Sequence, residues 1–295
     1  MGGERGGLLV LDKPSGITSH SAVQRVRRAL GVRKAGHAGT LDPLASGVLL
    51  VALGPATRLL EYLAAQDKAY RARIRLGERR DTLDREGRLE ESCPVPPLTR
   101  SGVEAVLAGF RGTLLQVPPA FSAIKMGGER LYRKARRGEP VQPPPRQVEI
   151  TRLELCRLAP PDLEIELECS KGTYVRSLAR DLGRALGTEG CLWDLRRTRS
   201  GPFEDRQAVP LAAVVDEGAE AWGRVLPAEA MVRALPPVAV DAPAARRLAE
   251  GGAVPAPSPG TEGPVAVFAP EGSLVCIAGY RDGALHPRKV FRAPR

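Results

Sequence analysis

The stretch GHAGTLDPLASGVLL, Gly36 to Leu50, sets a single polar residue equipped for chemistry, Asp42, among small and apolar ones. Asp before Pro commonly opens a turn, and Gly36, Gly39 and Gly47 let backbone approach a ligand closely. From Val48 to Leu53 the chain is continuously apolar, as expected of a strand covered on both faces. The carboxylate therefore sits on a turn with a rigid support behind it. Without a partner acid or a set of metal ligands, it reads as a nucleophile or general base rather than half of a two-carboxylate hydrolase.

On the N-terminal side, Leu8 to Leu11 reads as a short strand and Asp12 to Gly16 as a turn. Thr18 or Ser19 can cap a helix whose Val23, Val26 and Leu30 share a face, and Gly31 closes it. That helix carries Arg25, Arg27 and Arg28 towards Arg33 and Lys34. On the C-terminal side, Thr57 to Leu63 fits a short helix. Lys68 to Gly77 then alternates, with Tyr70, Ala72, Ile74 and Leu76 on one face and Arg71, Arg73 and Arg75 on the other. Leu163 to Cys169 alternates likewise and leads through Ser170–Thr173 into a helix bearing Val175, Leu178, Leu182 and Leu186. Strands and helices mix without a strict βαβ rhythm, which favours an α+β fold with a mixed, largely antiparallel sheet and flanking helices. Residues 117–147, rich in proline and basic side chains, read as an inserted, exposed arm. A Pro-rich stretch from Leu226 to Pro237 reads as a linker to a small β-rich domain with strands near Val238–Val240, Val265–Phe268, Leu274–Ile277 and Lys289–Phe291, and one helix around Ala244–Glu250. The expected division is 1–229 and 230–295.

With 295 residues and 43% apolar content, the chain can bury a sizeable core. Its formal charge of +10 comes from 44 basic against 34 acidic residues, and only seven of the basic ones are lysine. Arginine's planar fork suits phosphate and its face stacks on bases, so the bias fits a nucleic-acid partner. A compositional bias towards arginine, alongside abundant Ala, Gly, Pro and Leu, is the plainer explanation of the same counts. Cys93, Cys156, Cys169, Cys191 and Cys276 form no CxxC pair, and with three histidines they indicate neither a zinc site nor a disulfide framework. No apolar stretch approaches the roughly 20 residues of a membrane span, and the N-terminal apolar run is short for a signal peptide. A cytoplasmic location and no membrane contact are expected. Neither GxGxxG after a strand nor GxxxxGK[ST] is present, which argues against a nucleotide-dependent methyltransferase or ATPase.

The segment around Asp42 resembles the signature motif of the TruB-type pseudouridine synthases. LDKPSGITS (Leu11–Ser19), KAYRARIRLGERRDTLD (Lys68–Asp84), FSAIKMGGERLYRKARRGE (Phe121–Glu139), CSKGTYVRSLARDLGRALG (Cys169–Gly187) and LRRTRSG (Leu195–Gly201) match further blocks of that family in order. The C-terminal segment resembles its PUA-type RNA-binding domain weakly. The resemblance implies isomerisation of uridine at position 55, in the T-loop of tRNA, to its C-glycoside, without cofactor or metal. It also implies a tRNA T-arm and T-loop partner, no obligatory protein partner and a monomer. Since a stacked base is out of reach, it must be flipped into a pocket, at a cost of a few kcal/mol.

By that resemblance Asp42 is the catalytic carboxylate, and three routes stay open: addition to the ribose carbon, addition to the uracil ring, and a glycal route. Tyr70, on the apolar face of its strand, is implied to stack on the uracil, worth on the order of 1–3 kcal/mol, and is a candidate for assisting proton removal from C5. A core tyrosine would occupy the same place. Arg176 is implied to pair with the carboxylate, a contact that favours the charged form and fixes its orientation. Tyr174 would line the pocket, Leu195 would form its apolar floor, and His37 would help flip and hold the T-loop. Lys13 and Asp84 are supporting candidates. The arm is implied to close over the T-arm as a thumb, with Lys125, Arg130, Arg133 and Lys134 on phosphates. One departure is Ala69, where the family often carries a basic residue. Two rivals remain: a guide-RNA-dependent synthase sharing the motif, and a non-catalytic tRNA-binding or folding module on the same scaffold.

Overall fold

The computed structural model describes residues 5–122, 125–126, 129–131, 137, 139 and 143–291. Strands β1 (Gly7–Lys13) and β3 (Ser46–Leu53) pair antiparallel along their length, Gly7 opposite Leu53 and Lys13 opposite Gly47. Their continuous apolar runs have a direct use, because each strand feeds two cores. Leu9, Leu11, Leu49, Val51 and Leu53 point into one hydrophobic cluster, while Leu8, Val10, Val48, Leu50 and Ala52 point into a second. The first cluster is closed by α1 (Ser19–Ala29), whose Ala22, Val23 and Val26 are buried. Thr18 caps α1 by accepting the Ser21 N–H, and Gly31 leaves it at φ 64°. The second is closed by a 3-10 turn, Gly54–Leu59, running into the short helix α2 (Leu60–Ala64), where a single helix from Thr57 is expected.

The short β2 (Ala35–Ala38) pairs with β3 and delivers the chain into the Asp42 loop. In β4 (Lys68–Leu76) the expected alternation holds: Tyr70, Ala72, Ile74 and Leu76 are buried in the first cluster. On the other face Arg71 and Arg75 pair with Glu166 and Asp162 at 2.8 and 2.6 Å. Both acids lie on the strand paired with β4 in the sheet, Asp162–Cys169. Residues 78–80 and 89–92 form a small ribbon, followed by α3 (Arg100–Ala108) and β5 (Gly112–Gln116). Beyond the arm come the long β6 (Arg146–Ala159) and β7 (Asp162–Cys169), then α4 (Val175–Ala185) and β8 (Gly190–Ser200). Of the arm, a hairpin ladder of 125–126 against 129–130 is described. Helix α4 lies close on β8 because both contact positions lack side chains: a Cβ on Gly183 would stand 2.4 Å from the Gly190 nitrogen.

With β9 (Val209–Pro210), the ten-stranded sheet runs β9-β1-β3-β8-β4-β7-β6-β5. β2 pairs off β3 and residues 203–204 off β8. Only the β1–β9 and β3–β8 pairings are parallel, so the sheet is mixed and largely antiparallel. Helix α5 (Leu211–Glu217) follows β9. A second, five-stranded sheet occupies residues 237–290 in the order 237–239, 265–268, 274–281, 284–290, 254–255, with α6 (Ala242–Ala249) packed on it.

Residues 226–237 are not the free linker expected from their prolines. Leu226 exchanges backbone hydrogen bonds with Leu8, and Ala230, Met231 and Val232 are buried in the second cluster with Ala266, Leu274 and Ile277 of the small sheet. The segment is part of the core that joins the two sheets.

Candidate active site

The loop from Gly39 to Ala45 is pinned from below by the block Leu11–Ser19. The Ser19 hydroxyl donates to the Leu41 carbonyl at 2.9 Å and accepts the Leu41 N–H at 2.8 Å. Ser15 donates to the Leu44 carbonyl, and the Pro43 carbonyl accepts from the Gly16 N–H at 2.8 Å. Lys13 is fully buried, its ammonium donating to the carbonyls of Pro14, Ile17 and Pro43. Burial brings its pKa down to about 8, against the opposing pull of Asp42. Leu41, Leu44 and Ala45 face inward and are buried. The same turn leaves the Asp42 side chain 36% exposed. The chain thus spends three buried residues and a buried lysine to hold one carboxylate at a surface opening.

Arg176 meets that carboxylate from the first turn of α4. Its Nε lies 2.9 Å from Asp42 Oδ2 and its Nη2 donates to Oδ1 at 3.3 Å. The Nε–H does not point along its line to the carboxylate, so that contact is Coulombic rather than a hydrogen bond. The guanidinium also donates to the carbonyls of Thr82 and Phe121, at 2.9 and 3.0 Å, and stands 3.7 Å from Asp84. Asp84 is buried, accepts from Thr82 Oγ1 and the Glu86 N–H, and burial pushes its pKa up. It supports Arg176 from the side away from Asp42.

Beside this pair lies a cavity of about 560 Å³ whose wall includes Asp42, Tyr70, Tyr174, Arg176 and Leu195. Five candidates from four separate blocks of sequence therefore meet in one place. Tyr70 is supplied by the buried face of β4, and burial pushes its phenol above the ordinary value. Tyr174 is fixed through its backbone: Gln116 accepts its N–H at 2.8 Å and donates to its carbonyl at 3.1 Å. Burial raises its pKa as well, and its hydroxyl lies by Ser122. His37 is on β2 and is not part of the wall; burial and the charge of Arg197 push its pKa down. Of the arm cations, Arg133 and Lys134 lie outside the described residues, and Lys125 and Arg130 are described only as members of the hairpin ladder.

The wall also contains His20, Lys68 and Arg197, which the sequence reading passed over, and Gln116 behind Tyr174 was missed too. Lys68 had a legible signal: it stands at the same parity as Tyr70 on β4, on the face that is buried. Its ammonium is tied to the carbonyls of Ala64 and Gln66, and burial lowers its pKa to about 8.

One carboxylate held by a guanidinium at the rim of an aromatic- and leucine-lined cavity of nucleoside size, with lysines and arginines around it, is the setting of an enzyme that acts on an extruded base. The chain belongs to the TruB family of pseudouridylate synthases: residues 27–175 match the family's N-terminal domain model. Residues 176–237 match the C-terminal domain of tRNA pseudouridylate synthase B, and residues 235–292 the C-terminal part of tRNA pseudouridine synthase II. It is 45% identical over 293 residues to tRNA pseudouridine synthase B of Thermobifida fusca (strain YX), covering 97% of this chain and 98% of that protein. It is 50% identical over 248 residues to the same-named protein of Symbiobacterium thermophilum, covering 83% and 82%. Among solved structures it matches a Cbf5-Nop10-Gar1 complex with a TM-score of 0.77 and 28% identity, over 97% of this chain and 85% of that one.

Proposed function

We propose that this chain isomerises uridine 55 in the T-loop of tRNA to pseudouridine, with Asp42 as the acting carboxylate. The observation that carries the reading is the Asp42–Arg176 pair at the rim of the cavity lined by Tyr70, Tyr174 and Leu195. The target base is flipped out and stacks on Tyr70. The bond from C1′ to N1 breaks with its electron pair on the uracil; the ring turns, C5 joins C1′, and the C5 proton is lost while N1 gains one, so the product is an isomer of the substrate. Asp42 serves either by adding to C1′ or to the ring, or by assisting a glycal route. A phenol whose pKa is raised is a weak resting base, so the stacking part of Tyr70's assignment has the stronger support. Arg176 orients the carboxylate, and Asp84 positions Arg176.

The remaining parts follow the same reading. Exposed and without an ion pair among the described residues, Arg25, Arg28, Arg33 and Lys34 offer phosphate contacts, and the arm closes over the T-arm through Lys125, Arg130, Arg133 and Lys134. His37 helps hold the loop of the RNA, Lys13 keeps the Asp42 turn in place, and the segment 230–295 adds RNA-binding surface. The enzyme acts alone, as a cytoplasmic monomer. No helix among the described residues is long and apolar enough to cross a membrane. The higher identity to stand-alone tRNA enzymes than to the Cbf5 complex favours action without a guide RNA.

The test is incubation with an unmodified tRNA transcript followed by mapping of pseudouridine at single-nucleotide resolution. One new pseudouridine at position 55, lost when that base is changed to cytidine, is expected. Conversion only at other positions, or none, overturns the reading.

A further inference from the structure

Three arginines of β8 face three different situations. Arg196 pairs with Asp12 and Asp205, and Arg199 with Glu168. Arg197 is 1% exposed, yet among the described residues no carboxylate lies within ion-pair distance of it. An arginine cannot shed its proton to escape burial, and an uncompensated buried charge is costly. Its hydrogen bonds show what it holds. The Nε donates to the Val48 carbonyl at 2.7 Å and Nη2 to the Gly39 carbonyl at 3.0 Å. Those two carbonyls are the two ends of the segment that carries Asp42.

The ladder register strengthens the point. Arg197 stands opposite Gly47 of β3 on one side and opposite Tyr70 of β4 on the other. The approach of β3 depends on glycine there, since a Cβ on Gly47 would stand 2.2 Å from the Arg197 carbonyl oxygen. Arg197 is therefore the residue through which the Asp42 segment and the Tyr70 strand are spaced, and it lines the same cavity.

We propose that Arg197 is a positioning residue of this active site: its guanidinium clamps both ends of the Asp42 segment and sets the distance of that segment from Tyr70. The inference rests on the reading of Asp42 and Tyr70 as the pair that handles the base. A guanidinium suits the task because two donors in one rigid plane fix two acceptors at once, whereas an ammonium is a single point.

The experiment compares wild type, Arg197→Met and Arg197→Lys in four measurements. These are the single-turnover rate of pseudouridine formation with saturating enzyme, the Kd for tRNA, thermal unfolding, and hydrogen exchange across residues 39–48. For Arg197→Met the rate is expected to fall about 100-fold, the size of effect an ångström-scale misplacement produces, with Kd within about threefold. Exchange across 39–48 should speed up while the rest of β3 keeps its protection. Arg197→Lys, which keeps the charge but not the two-donor plane, should recover only part of the loss, to about a tenth of the wild-type rate. A rate for Arg197→Met within threefold of wild type overturns the proposal. So does a rate loss in both variants that tracks a global loss of melting temperature, which would mark a structural role alone. Should Arg197→Met fail to fold, Arg197→Lys decides by itself: a rate loss with unchanged melting and faster exchange in 39–48 supports the clamp, and wild-type behaviour removes it. If the wild type makes no pseudouridine, the functional reading fails, and the exchange data on Arg197→Lys still judge the clamp.

Discussion

The wall of the cavity and the seam between the two sheets are both built on charged side chains, and they use charge in opposite ways. In the wall, Arg176 is buried among Asp42, Asp84 and two carbonyls, so its position is dictated from four directions. In the seam, the charged contacts sit at the surface over an apolar layer. Arg58 donates to the Val290 carbonyl at 2.8 Å and lies 5.3 Å from the Phe291 ring centroid, and Lys289 bonds Glu61, which keeps that carboxyl below its ordinary pKa. Buried charges with fixed partners hold geometry for chemistry, while exposed pairs are weak and screened by salt. The lesson is that a substitution in the wall should change the rate of the bound complex, and one in the seam should change how tightly RNA is held.

The sharpest way to break that contrast is Asp42→Asn. The amide is nearly the same size but cannot act as a carboxylate, so pseudouridine formation should become undetectable while tRNA affinity stays within about tenfold, or ~1.4 kcal/mol. Wild-type turnover by this variant would remove Asp42 from the chemistry. Next in size is Arg176→Lys, which keeps the charge but loses the planar fork that reaches Asp42, Thr82, Phe121 and Asp84 together. A fall in single-turnover rate of about 100-fold with little change in affinity is expected; a loss of affinity with the rate intact would place Arg176 among the RNA-holding residues instead.

The seam gives a smaller and opposite outcome. Deleting the chain after residue 230 is a poor test, because Leu59, Leu63 and Ala230 share their cluster with Ala266, Leu274 and Ile277 and would be laid bare. Phe291→Ala removes one packed ring without opening that core. The Kd for tRNA should rise about threefold to tenfold, at most ~1.4 kcal/mol, with the rate of the bound complex unchanged. A rate defect at matched salt would show that the small sheet reaches into catalysis.

How much of this was legible follows from where the information sits in the chain. Period-two alternation announced β4 and β7, because one face of each meets the core and the other carries paired arginines and acids. The double core of β1 and β3 was legible as an unbroken apolar run. By contrast β8, the strand between β3 and β4, went unread. Its sequence GCLWDLRRTRS has no clean period, because Arg197 is buried on a face where alternation predicts an apolar residue. The cavity residues that lie in compact motifs were found, whereas Arg197 and Gln116 act through backbone carbonyls and amides whose partners lie far along the chain, and Lys68 bonds carbonyls just before its own strand. The Pro-rich segment 226–237 misled for a related reason: prolines break helices and strands without preventing burial, and Met231 and Val232 between them are core residues.

The last effect is a matter of pH, and it lies beneath the Asp42 loop. Lys13 is buried beneath the Asp42 loop with a pKa of about 8, against 10.5 as its ordinary value. Below pH 8 both the folded and the unfolded chain hold the proton, and the cost of burying the charge is present in full. Between about pH 8 and 10.5 the unfolded chain binds more protons than the folded one, so this lysine's contribution makes unfolding harder as pH rises. Chemical denaturation of wild type and Lys13→Met from pH 7 to 10.5 isolates that contribution as a difference, since the other titrating groups are common to both. The wild type should gain on the variant across that window and not below it. A difference that stays flat would mean that the ammonium is as well solvated under the loop as in the unfolded chain, and the loop would then owe its position to Ser15, Ser19, the Gly16 amide and Arg197.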